Sequence, residues 1–272
     1  MKNKKILVLL LVLAMVFSFA ACGESADNGD ADKDNGAADK NTEIPTYIAA
    51  TEPTFPPFDT TDEDGNIVGF DMDLMNAIGE DQGFKVKYKA FEFDALIPTV
   101  QAGNAEIITA GMNAEDPERQ AKVDFSNTYY DSGLVVIVKE DNNTIKGIDD
   151  LTKDMKVASQ IGTTGADKVN ELHDDGKIKE AVILNGFDTC MLQLINGDVS
   201  AVIIDQPVGK TYLKKQPGKC KIVGDVLNAE SYGFAVKKGN KELLDKINTG
   251  LQNMIDNGTY DELFTKWFEG EE

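Results

Sequence analysis

The feature that most constrains this chain is a pattern used twice: DALIPTVQAGNAEIITAG at Asp94–Gly111 and DTCMLQLINGDVSAVIID at Asp188–Asp205. Each copy has an aspartate placed to cap an apolar helix, a glycine nine positions later, and an apolar strand ending eight positions after the glycine. Identity between the copies is low, so what repeats is architecture: two similar lobes, each delivering a residue from a strand end. Strand patterns alternate with helix patterns throughout, which predicts an α/β protein with mainly parallel sheet. Open α/β sheets bind ligands at the carboxyl ends of their strands. Two lobes that offer such ends imply a cleft between them.

The ends of the chain are read from composition. MKNKKILVLLLVLAMVFSFAAC joins a basic start to an apolar run from Ile6 to Phe17 and small residues before Cys22. That run is too short for a membrane span of about 20 apolar residues and reads as a signal peptide over 1–21. FAAC resembles a bacterial lipobox, with Phe19 where an aliphatic residue is usual, so Cys22 is expected to be lipidated; ordinary cleavage and free secretion is the alternative. Residues 22–43, rich in Gly, Ala, Asn and acids, read as a solvated tether. The remainder is long enough for two lobes of roughly 100 residues each. A formal charge of −20 argues against a nucleic-acid partner. Cys190 and Cys220 could pair outside the cytoplasm, but their apolar settings suit free thiols.

Several segments carry polar or aromatic residues whose placement needs a reason. ATEPTFPPF, residues 50–58, leaves a short strand with Glu52 and two phenylalanines held apart by Pro56-Pro57, an extended and rigid stretch. Its aromatics are either a core plug or a ligand platform. DEDGN (Asp62–Asn66) has the Asp-Gly signature of a tight turn, and its glycine comes too early for an EF-hand loop. In GFDMDL, Asp71 is placed to cap a helix and Asp73 to lie in its first turn, rather than to form a catalytic pair. Arg119 is an always-charged fork suited to a carboxylate, although among Glu115, Asp116 and Glu118 it could be a surface charge. Gly162-Thr163-Thr164-Gly165 joins a strand to a helix start, where free amides and the helix dipole favour an anion. Neither a P-loop nor a dinucleotide loop is present there. Asp205 closes a buried strand and calls for a cation opposite it, from the protein or from a ligand. Arg119 for a carboxylate and Asp205 for an ammonium would together read an α-amino acid. His173 stands alone, and no Cys/His cluster has metal-ligand spacing, so no metal or other cofactor is expected.

The ordered set ATEPTFPPF, GFDMDL, FDALIPTVQAG, AGM…PER, VDFSNTYYDSG, IGTTG, AVIIDQP, SYGFAV and NGTYDELFTKWF resembles the landmarks of one family from about Ile44 to Phe268. It is similar to the amino-acid-binding subunits of bacterial ABC importers, the polar amino-acid solute-binding proteins of family 3. The resemblance implies a two-lobed periplasmic-binding-protein-like fold, a Venus flytrap with two hinge crossings near Tyr129–Gly133 and Asn228–Tyr232. Lobe one would comprise 44–129 and 231–272, and lobe two 134–227. It implies that Arg119 binds the ligand carboxylate with Asn113, Thr163 and Thr164, and that Asp205 binds the ammonium with the Ala110 and Gly111 backbone nearby. Phe55 and Phe93 would sandwich the side chain, which Glu52 and Gln160 would face from the two lobes. The chain departs from the family pattern in one additional residue between Gly111 and Arg119 and in Asn113, where Thr or Ser is usual. The implied partners are a polar amino acid, neutral or basic, such as glutamine, lysine or arginine, and an ABC permease with its ATPase. A monomer is expected, extracytoplasmic and lipid-anchored to the cell membrane. The alternatives are a cyclohexadienyl-dehydratase-like enzyme on the same fold, with Glu52 as its acid, and a sensor domain.

Overall fold

The computed structural model describes residues 43–269. The expected signal peptide, Cys22 and the tether up to residue 42 lie outside the described residues. In chain order, the first half runs β1 (Thr46–Thr51), β2 (Thr60–Thr61), β3 (Ile67–Val68), α1 (Phe70–Gln82), β4 (Lys85–Ala90), α2 (Leu96–Gln101), β5 (Ile107–Ile108), α3 (Pro117–Gln120) and β6 (Val123–Phe125). Then come β7 (Tyr130–Lys139), β8 (Lys156–Gln160), α4 (Thr164–Asp174), β9 (Glu180–Leu184), α5 (Phe187–Asn196), β10 (Ala201–Asp205), α6 (Gln206–Lys215) and β11 (Cys220–Val223). The chain ends with β12 (Ala229–Tyr232), β13 (Ala235–Lys237), α7 (Lys241–Asp256) and α8 (Thr259–Phe264).

These strands build two large sheets, one at the core of each lobe, and a separate two-stranded ribbon of β2 and β3. The first has the order β4-β1-β5-β13-β6 and the second β11-β7-β10-β8-β9. β13, late in the chain, lies between β5 and β6, so the polypeptide leaves the first sheet, builds the second, and returns. The outgoing and returning segments run side by side: β12 pairs antiparallel with the start of β7, from Tyr130↔Tyr232 to Gly133↔Ala229. The expectation of mainly parallel sheet fits β1 with β4 and β5 and β8 with β9 and β10. It does not fit β7, β11 and β13, which run antiparallel to their neighbours because two crossings reverse the chain.

Packing follows the apolar pattern. Every residue of β10, AVIID, is buried, as expected of a strand covered on both faces. Leu243, Ile247, Leu251 and Met254 line one face of α7, which packs on α1. Gly250 makes this approach possible, since a Cβ there would lie 2.7 Å from Ile78 Cγ2. Phe58, fully buried, meets Phe55, Phe70, Tyr130, Tyr232 and Phe268 with ring centroids 4.8 to 6.3 Å apart, so one ring ties the 50–58 segment to both crossings and the C-terminal turn.

Three capping expectations are corrected. Gly69 occupies the cap position of α1, while Asp71 turns inward: its carboxylate accepts from Gly111 N at 2.9 Å and from Tyr129 Oη at 2.8 Å. A side chain fully surrounded by a neighbouring loop and a tyrosine hydroxyl is worth more there than on a helix end that already docks on Pro57 and Phe58 carbonyls. Asp94 lies within a 3₁₀ turn (Phe93–Ala95) and Asp188 within the first turn of α5, and neither caps through its side chain. The Asp62 turn is as expected, its carboxylate accepting from the amides of Asp64 and Asn66 between β2 and β3.

Cys190 and Cys220 are both buried and free. Burial pushes the Cys190 thiol up to about 12, which leaves little thiolate to react at neutral pH. Adding a reducing agent should therefore leave the melting temperature unchanged. A fall would reveal a bridge, because losing one typically costs about 2 to 5 kcal/mol.

Candidate functional site

The candidate residues gather where the two lobes face each other. Arg119 is presented by a local device on the four-residue α3. Asp116 caps that helix, accepting from the amides of Glu118 at 2.7 Å and Arg119 at 3.3 Å, and Pro117 supplies a preset φ at its first position. The Arg119 side chain then turns inward and is only 7% exposed, which removes the surface-charge reading. Its Nε lies 3.5 Å from Asp116 Oδ2, Nη1 donates to Asn113 O at 3.4 Å, and Nη2 donates to Gly162 O at 3.0 Å across the cleft. The guanidinium carbon stands 5.5 Å from the Phe93 ring centroid, a cation–π placement that leaves part of the donor fork uncommitted.

The segment with the additional residue is woven into the returning crossing. Asn113 bridges Tyr232, Ala114 N donates to Ser231 O at 2.8 Å, and Gly233 N donates to Met112 O at 3.1 Å. Asn113 Oδ1 accepts from Glu115 N at 3.0 Å, so this side chain is engaged in its own loop. Gly111, at φ 50°, lies flat under Phe55: a Cβ there would be 2.6 Å from the ring. Ala110 beside it is buried. Phe55 is itself 5% exposed and packs on Phe58, Tyr232 and Phe187 of the second lobe, with centroids 5.9 to 6.1 Å away. Phe55 and Phe93 are thus separate walls, one toward Tyr232 and one under Arg119.

Glu52 leaves the end of β1 and reaches the opposite lobe. Its Oε1 accepts from Thr54 Oγ1 at 2.7 Å and its Oε2 from Gln160 Nε2 at 3.1 Å. Burial raises its pKa above the ordinary value, partly offset by these two hydrogen bonds. Gln160, fully buried at the end of β8, also donates to Asn185 O at 2.9 Å, and its Oε1 has no partner among the described residues. Thr163 is the cap of α4, accepting from Ala166 N at 3.1 Å and donating to Gln160 O at 2.7 Å, so its hydroxyl serves the helix start. Thr164, half-buried, opens that helix.

Asp205 ends β10 and is 4% exposed. Tyr232 Oη donates to its Oδ1 at 2.5 Å. Burial first, and the facing Glu230 carboxyl second, hold the Asp205 carboxyl well above the usual carboxylate range. Sequence reading missed Tyr232, within the landmark SYGFAV, and Glu230 just before it; nothing local signals that these two side chains lie against Asp205. It also missed Tyr212, whose hydroxyl donates to Thr54 O at 3.0 Å between the lobes. Beside Arg119 lies a cavity of about 360 Å³ whose lining includes Phe93, Asp94, Met112, Asp116 and Gly162, but not Glu52, Phe55, Gln160 or Asp205.

Comparison with known proteins bears on what such a cleft holds. The sequence model of the bacterial extracellular solute-binding proteins, family 3, matches residues 47–270. A putative ABC transporter arginine-binding protein 2 of Escherichia coli K12 is 34% identical, over 84% of this chain and 93% of that one. The arginine-binding extracellular protein ArtP of Bacillus subtilis 168 is 30% identical, over 98% and 99%. Among solved structures, an ancestral arginine-binding protein bound to arginine is 42% identical with a TM-score of 0.78, covering 82% of this chain and 98% of that one.

Proposed function

The chain belongs to the bacterial extracellular solute-binding proteins, family 3, and from that premise we propose that it takes amino acids with a cationic side chain, arginine first, and hands them to an ABC importer. Its function is that of an amino-acid-binding subunit, which clamps its ligand between two lobes. The observation that carries the ligand class is the charge of the cleft. Glu52, Asp205 and Glu230 are all buried there, and Arg119, itself paired with Asp116, is the cation that acts on Asp205. A zwitterionic amino acid leaves that excess of buried negative charge in place, whereas a ligand with a second positive group reduces it. The names of arginine-binding relatives point the same way.

In this reading Arg119 takes the carboxylate, Asp205 the ammonium, Phe55 and Phe93 the aliphatic stem, and Glu52 with Gln160 the cationic end. Thr163, Thr164, Asn113 and the Ala110–Gly111 backbone complete the pocket. The lobes are 44–129 with 231–272, and 134–227. Hydrogen bonds cross between them from Arg119 to Gly162, Gln160 to Glu52, Tyr212 to Thr54 and Tyr232 to Asp205, and they support a clamp drawn in its closed form. Because the ligand touches both lobes only when they close, binding shifts an open–closed equilibrium that the permease reads. The chain acts by binding and not by catalysis, and Cys22 anchors it by lipid outside the cytoplasm, where the family works. Among the described residues no helix is long and apolar enough to cross a membrane.

A thermal-shift panel tests the ligand class. Protein stripped by unfolding and refolding gains about 2.7 kcal/mol from ligand at 100 times its dissociation constant. At roughly 2 to 4 °C per kcal/mol, arginine should raise the melting temperature by several degrees, lysine and glutamine less, and glutamate not at all. A larger shift with glutamine than with arginine would overturn the cationic reading. Turnover of added prephenate or arogenate would make the protein an enzyme.

A further inference from the structure

The meeting of Asp205 and Glu230 is unusual, and the rest of the site does not explain it. Asp205 is the last residue of β10, paired with Leu134 of β7; Glu230 is on β12, the returning crossing, paired with Ser132 of the same strand. Glu230 lies on the same face of β12 as Tyr232, whose hydroxyl reaches Asp205, and its carboxyl is near enough to raise the proton affinity of Asp205. Glu230 is 1% exposed; its Oε1 accepts from Asn228 Nδ2 at 2.9 Å, while its Oε2 is buried with no partner among the described residues. Neither acid forms an ion pair with a described residue. The groups facing Asp205 are Glu230 and Tyr232 from β12 and, further off, Arg119 from α3. Tyr232 Oη also meets Ser132 Oγ at 2.9 Å. Two carboxylates that touch in a dry site cannot both stay ionised without a cation or a proton between them.

We propose that Glu230 and Asp205 share one proton in the free protein, and that the ligand's ammonium takes the place of that proton, so that amino-acid capture releases it to solvent. Glu230 is then a positioning residue acting through Asp205, and both flank β7, so the pair is held together independently of lobe closure. The inference rests on Asp205 being the ammonium acceptor of the proposed function.

Linkage fixes the sign. A proton released on binding makes affinity rise with pH, by up to about tenfold per unit for one whole proton. The test is isothermal titration of the stripped protein with arginine in buffers of differing ionisation enthalpy near pH 7, with affinities measured from about pH 6 to pH 7.5, below the titration of the ligand's own amine. The wild-type protein is expected to release a substantial fraction of one proton and to bind more tightly as pH rises. Glu230→Gln keeps an acceptor for Asn228 and offers Asp205 a permanent donor, so proton release should nearly vanish and the pH profile flatten. Should that variant not fold, Glu230→Asn, which also carries an amide donor and no titrating group, serves the same purpose. Absence of proton release in the wild type, or equal release in either variant, overturns the proposal while leaving the amino-acid site intact. The site itself is tested apart by Asp205→Asn: unchanged arginine affinity there removes the ammonium assignment.

Discussion

Replacing Arg119 with alanine will leave a folded protein whose affinity for its amino acid falls by roughly 30-fold to several-thousand-fold. The magnitude follows from burial. A charge-assisted contact in a dry cleft, once one partner is deleted, typically costs about 2 to 5 kcal/mol, because the other charge stays behind unpaired. Two further losses add to it here: the cation–π contact with Phe93 and the cross-cleft hydrogen bond to Gly162 O. The fold should survive, since α3 is capped by Asp116 and Pro117 and not by the guanidinium. Lysine at 119 keeps the charge but not the planar fork, and should recover only part of the loss. Calorimetric titration with arginine measures all three proteins. Equal affinity of the alanine variant and the wild type would take Arg119 out of the site.

The largest effect on stability is expected at Gly69. Its backbone sits at φ 153°, ψ 173°, a region open essentially to glycine alone. A Cβ added there would lie 1.9 Å from Phe58 O and 2.5 Å from Phe58 C, both backbone atoms that cannot swing aside. They are fixed because Phe70 N donates to Pro57 O at 2.9 Å and Asp71 N to Phe58 O at 3.0 Å, docking the start of α1 onto the Pro57–Phe58 backbone. Gly69→Ala should cost more than about 4 kcal/mol and lower the melting temperature by on the order of 10 °C, or leave the protein insoluble. Gly65 is the control: at φ 84° with open space around it, alanine there should cost only about 1 to 2 kcal/mol. Equal losses at both positions in thermal melts of ligand-free protein would show that the close contact with Phe58 is not what requires glycine.

Much of this was legible because it is written locally. Alternating apolar strands and helices, the doubled helix–strand pattern ending at Gly111 and Asp205, and the Thr163 helix start each depend on residues within a few positions of one another. Arg119 and Asp205 were legible as chemical types needing opposite charge, and the ordered motifs supplied the family and with it the expected role of Glu52. Asp71 was misread for the reason that local rules fail in general: a carboxylate near a helix start looks like a cap, yet its partners, Gly111 N and Tyr129 Oη, are 40 and 58 positions away. Glu230, 25 positions from Asp205 and separated from it by a helix and a strand, carries no local mark at all.

The sequence by itself determined the α/β class, the two lobes and the residue types able to hold an amino acid, because periodicity, turn chemistry and charge act over short stretches of chain. Only the tertiary structure decided which of those residues face each other: Arg119 turned over Phe93 and toward Gly162, Glu52 set against Gln160, Asp205 set against Glu230 and Tyr232. The returning strand is the physical reason. β12 and β13 run back beside the first half of the chain, and that crossing brings Glu230 to Asp205 in one dry cleft, where it raises the proton affinity of Asp205.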